Sequence, residues 1–92
     1  MYKLNLNHLP QIHKLKILTK YYDAVLDGRK KFEIRKNDRD FRVGDMLILQ
    51  EYKEGNLAGW FTGEEEKMRI TYITDYAQKD GYVVLGIEKW EY

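Results

Sequence analysis

The chain contains no cysteine and no serine in its 92 residues. Disulfides, thiolate metal sites and thiol nucleophiles are therefore excluded, and so are hydrolases built on a serine hydroxyl. Its two histidines, His8 and His13, are too few for a three-histidine zinc site. The residue set calls for no metal and no organic cofactor. No apolar run approaches the ~18 residues needed to span a bilayer, and the first residues lack the apolar stretch of an export signal. A cytoplasmic protein that does not engage a membrane is expected. Proline occurs once, at Pro10, which separates a polar lead from the first patterned segment.

An apolar share of 43% with 34% charged residues suits one soluble globular domain. The expected division is an N-terminal arm over residues 1–10 and a single domain over 11–92. The net charge of +1 hides a split. Residues 1–50 carry a formal charge of +5 and residues 51–92 one of −4. The basic excess peaks between Gly28 and Arg42, where seven Lys or Arg meet three acids. That density resembles the electrostatic footprint of a nucleic-acid binder.

His13 to Leu18 alternates basic and apolar residues, the period of a half-buried strand. Thr19 offers an N-cap hydroxyl, Tyr21, Tyr22, Val25 and Leu26 recur at helical spacing, and Gly28 supplies a stop. A short helix is expected between them. Lys31 to Arg35 alternates strictly, and the default reading turns Phe32 and Ile34 to the core and Lys31, Glu33 and Arg35 to the opposite face. Met46 to Leu49 is a continuous apolar run, as for a strand buried on both faces. Gly55, Asn56, Gly59 and Gly63 around Trp60 and Phe61 describe a long polar hairpin, with Glu64 to Glu66 in a solvated loop. Strands resume at Lys67 to Ile73 and at Tyr82 to Glu88. These elements make a mainly β, α+β chain: a small barrel of five to six strands with a short helix after the first.

The helix-to-strand junction reads Gly28-x-Lys30-x-x-Glu33-x-Arg35. In this context it resembles the G-x-K-x-x-E-x-R signature of the ASCH domain, and the likeness extends over roughly His13 to Glu88. Details such as His13, Leu15 and Lys16, and the run from Phe32 to Asp38, resemble a small bacterial and phage subfamily of uncharacterised ASCH-like proteins. The resemblance implies a PUA-like barrel whose cleft beside the motif binds RNA or a nucleoside. The residue chemistry is compatible with that: Gly28 permits a left-handed turn, Lys30 supplies a point charge for phosphate, and Arg35 adds planar donors. Glu33 stands about 7 Å from Arg35 along one strand face. It is placed either to accept from a base edge or to orient the guanidinium. Lys31, Lys36 and Arg39 flank the trio, and Trp60 is a stacking candidate, as are Tyr21 or Tyr22. RNA or a nucleotide-like ligand is thus the expected partner.

Two other classes compete. Some ASCH relatives are amidohydrolases acting on acetylated cytidine, with a threonine in the motif strand beside the motif lysine. Glu33 occupies that position here, so an enzyme of this kind would rest on Lys30 and Glu33, and a ribonuclease on Lys30, Arg35 or His13. A protein-protein module pairing the basic and acidic halves is the third reading. Oligomeric state is left open by the sequence.

Overall fold

In a computed structural model of the chain, residues 9–91 are described. Most of the expected N-terminal arm, residues 1–8, and Tyr92 lie outside the described residues. Five strands and one helix follow in the order β1 (Ile12–Leu18), α1 (Thr19–Leu26), β2 (Phe32–Lys36), β3 (Met46–Lys53), β4 (Trp60–Thr74) and β5 (Tyr82–Lys89). They form one sheet in the order β1-β3-β4-β5-β2 that curls into a half-barrel. The mainly β fold with a short helix after the first strand is as expected. β1 pairs parallel to β3, and the other neighbours are antiparallel.

The concave face holds the core. Leu15 and Ile17 of β1, Leu47 and Leu49 of β3, Met68 and Ile70 of β4, and Val83, Leu85 and Ile87 of β5 are buried there at alternate positions. Tyr22 and Val25 of α1 and Phe41 of the β2–β3 connection complete it. Each such side chain contributes about 1.5–3 kcal/mol by leaving water. Ile48 is also buried, which agrees with a β3 covered on both faces.

Three expectations are corrected. Thr19 is the first residue of α1 and not its cap; Leu18 holds the cap position and makes no side-chain capping bond. Glu64 to Glu66 are not in a loop: β4 is 15 residues long, and Glu65 and Glu66 pair with Gln50 and Leu49 of β3. A bulge opposite Glu51 lets the strand continue through Gly63, whose φ of +94° is one that glycine adopts without strain. The facing of β2 is also inverted. Glu33 is buried and Arg35 half-buried, whereas Phe32 and Ile34 are 44% and 50% exposed. Alternation identified the strand, but assigning its charged residues to solvent ignored the polar partners that wait inside the curl.

Candidate nucleotide-binding slot

Curling brings the sheet's two edge strands, β1 and β2, face to face, and no backbone ladder joins them among the described residues. Side chains bridge the gap instead. Arg35 Nη2 donates to the Lys16 carbonyl at 2.9 Å, and Arg39 Nη1 to the Lys14 carbonyl at 2.6 Å. Beside this seam lies a slot of about 520 Å³, lined by Lys16, Ile17 and Leu18 of β1, Tyr21 of α1, and Lys30 with Phe32 to Arg35.

The motif's local geometry follows from its glycine. Gly28 ends α1 at φ +83°, and the chain turns so that the Lys30 N–H returns to the Ala24 carbonyl at 2.9 Å. Lys30 then enters the slot. Its Nζ donates to the Phe32 carbonyl and to Glu33 Oε2, both at 2.7 Å, with the Phe32 and Tyr21 rings 5.2 Å and 5.6 Å away. Glu33 sits opposite Leu85 of β5 in the sheet, and its side chain is only 6% exposed. Its Oε1 accepts no hydrogen bond and is closed to water; Arg35 Nη2 stands 3.5 Å from it. Two cations, Lys30 and Arg35, face one carboxylate, while Lys16 meets the seam through its carbonyl and sets its Nζ over the Tyr52 ring at 4.5 Å. The slot therefore carries a positive excess between two half-exposed aromatic rings.

Of the residues singled out in the sequence, Lys30, Glu33 and Arg35 meet in the slot, and Tyr21 joins them. Gly28 shapes the approach without lining it. Lys31 and Lys36 are exposed at either end of β2, and Arg39 is engaged in the seam. Trp60 opens β4 opposite Lys53, half-exposed, and is not among the slot's lining residues. Tyr22 belongs to the core. Sequence reasoning missed Lys16, Ile17, Leu18 and Ile34 as lining residues, and placed Phe32 inside the core.

Two polar clusters lie apart from this lining. Asp45, fully buried ahead of β3, accepts from the Gln11 N–H at 3.0 Å, the Arg42 N–H at 3.1 Å and bonds His13 Nε2 at 2.8 Å. His13 is thus a satisfied core histidine, with the Phe41 ring edge-on at 4.8 Å. The sequence carries no periodic signal for a role of Asp45. At the bulge, Thr62 donates to Glu51 Oε1 at 2.7 Å. That bond holds the Glu51 carboxyl below its ordinary range. Burial, reinforced by Glu66, Glu64, Glu51 and Glu65, pushes the Tyr22 phenol up.

Fold and site define a small half-barrel domain with a lysine-glutamate-arginine slot at its seam. The chain belongs to the family described as "Domain of unknown function (DUF3850)", which it matches over residues 12–87, a span that includes every residue lining the slot. It is similar to the "Uncharacterized 12.9 kDa protein in GpA 3'region" of Escherichia phage P2, with 42% identity over 78 residues. That alignment covers 84% of this chain and 68% of the phage protein.

Proposed function

We propose that the chain binds single-stranded RNA or a nucleotide-like ligand in the slot between β1 and β2. The observation that carries this reading is the convergence of Lys30, Glu33 and Arg35 on one cleft flanked by Tyr21 and Phe32. Flat apolar walls suit a base, and an excess of cations suits a phosphate. The likeness of Gly28-x-Lys30-x-x-Glu33-x-Arg35 to the ASCH signature supports the same reading, and with it membership of the PUA-like folds. Lys30 Nζ is already engaged by the Phe32 carbonyl and Glu33 Oε2, both at 2.7 Å, as a positioned donor. Together with the missing motif threonine, this favours binding over the hydrolase alternative.

Fluorescence anisotropy with a random-sequence single-stranded RNA, titrated over several salt concentrations, tests the proposal. The protein is expected to bind with a salt-dependent affinity that falls in Lys30→Met and Arg35→Ala variants, each checked by thermal melting. Unchanged affinity and salt slope in folded variants would sink the site assignment.

A further inference from the structure

Glu33 is an unusual residue to find at the bottom of a cationic slot. Its side chain is more than nine-tenths buried, Oε2 is tied to Lys30, and Oε1 hydrogen-bonds nothing. A buried acceptor left in this state is costly, and the cost is recovered by whatever donates to it. A phosphate cannot, since it brings only acceptors and a second negative charge. The neighbouring atom is Arg35 Nη2, 3.5 Å away, part of a guanidinium that donates to the Lys16 carbonyl. The deep end of the slot thus sets an acceptor beside a fork of N–H donors. Its walls are Ile17, Leu18, Tyr21, Phe32 and Ile34, apolar or aromatic and matched to a flat ring.

From this pattern we infer that the slot takes a nucleobase edge-first, and that Glu33 reads it. An amino or imino N–H of the base donates to Glu33 Oε1, and the adjacent ring nitrogen or carbonyl accepts from Arg35. The base edge takes the place of Arg35 against Oε1, while the guanidinium turns to the base. The phosphate stays at the slot's open mouth, outside the apolar walls. This assignment rests on the nucleotide-binding reading above and adds to it which part of the ligand is buried and which residue discriminates.

The test is a titration of wild-type protein with the four nucleoside 5′-monophosphates, with the same nucleotides methylated at the edge donor, and with ribose 5-phosphate. The first set should bind best. Methylation should weaken binding about tenfold or more, because it leaves Oε1 unsatisfied and inserts a methyl group against it. Ribose 5-phosphate, which retains sugar hydroxyls and phosphate, should bind weakest. In a Glu33→Ala protein, shown to be folded by its melting curve, both the acceptor and the bulk beside the methyl group are gone, and the penalty for methylation should disappear. Equal binding of ribose 5-phosphate and the nucleotides by wild-type protein overturns the inference without recourse to any variant. So does a Glu33→Ala protein that keeps the methylation penalty. If RNA binds while abasic RNA binds equally well, the base assignment falls and the RNA-binding reading stands; if neither nucleotide nor RNA binds, both fall.

Discussion

Arg35 donates from β2 to the main-chain carbonyl of Lys16 in β1, at 2.9 Å, across a seam where the sheet has no ladder. Arg39 repeats the contact one pleat away, at Lys14. Two side chains therefore do at this seam what a row of backbone bonds does between the other strands.

Removing them should loosen the seam and leave the rest of the sheet intact. Arg35→Ala and Arg39→Ala are each expected to lower unfolding free energy by about 1 kcal/mol, the net value of a hydrogen bond that solvent partly replaces. Hydrogen exchange read by NMR should quicken at β1 and β2 and stay slow in β3, β4 and β5. Uniform acceleration across all five strands would contradict this division.

Asp45 should be far less tolerant. It is fully buried, and its carboxylate serves Gln11, His13 and Arg42 together. Asp45→Ala leaves three polar groups without their acceptor and is expected to cost about 3 kcal/mol or more in urea unfolding. Asp45→Asn, which keeps one acceptor oxygen, should cost less.

Acid should act through Glu51. Its carboxyl sits lower in the folded chain than the ordinary value of 4.5, chiefly because Thr62 donates to it. A depressed carboxyl stabilises the fold above its unfolded pKa, and that contribution is lost as pH falls through the folded pKa. Thr62→Val should therefore melt earlier than wild type at neutral pH. The two melting temperatures should converge in acid below the ordinary carboxylate range. A gap independent of pH would argue against the bond.

The facing of β2 is open to a direct comparison. Ile34, half-exposed on the outer face, should accept Ile34→Thr with a loss within about 1 kcal/mol. Leu85, fully buried on the inner face, should lose about 2–5 kcal/mol as Leu85→Ala. Similar losses at both positions would mean that Ile34 faces inward.

The order of elements was legible because it is local: alternation over residues 13–18, a three-and-four spacing from Tyr21 to Leu26 and an apolar run at Met46 to Leu49 each report on their own backbone. The motif trio was legible for the same reason, since Lys30, Glu33 and Arg35 sit within six residues and share a strand end. Its direction was not. Whether Glu33 points in or out depends on what stands across the seam, and Lys16 and Tyr21 reach that place only when β1 and β2, at opposite edges of the sheet, are curled together. Glu64 to Glu66 misled for a related reason: three charges beside a glycine look like a loop until a bulge at Gly63 carries the strand past them.

β1 and β2 are neighbours along the chain and strangers in the sheet. β3 pairs with β4 and β4 with β5, so the three can assemble as a meander, whereas Phe32 waits for Gly86 and Ile12 for Met46 before either edge strand has a partner. Closure of the longer loops comes at a higher entropic cost, so the meander is expected to form the nucleus and the seam to form late. Substitutions in β4 should then slow folding, and those in β1 or β2 should mainly hasten unfolding, which stopped-flow chevrons would separate. On this order the slot is the final part of the molecule to be made. A ligand that grips both edges would act as a latch, lengthening the lifetime of the native state without changing how fast it is reached.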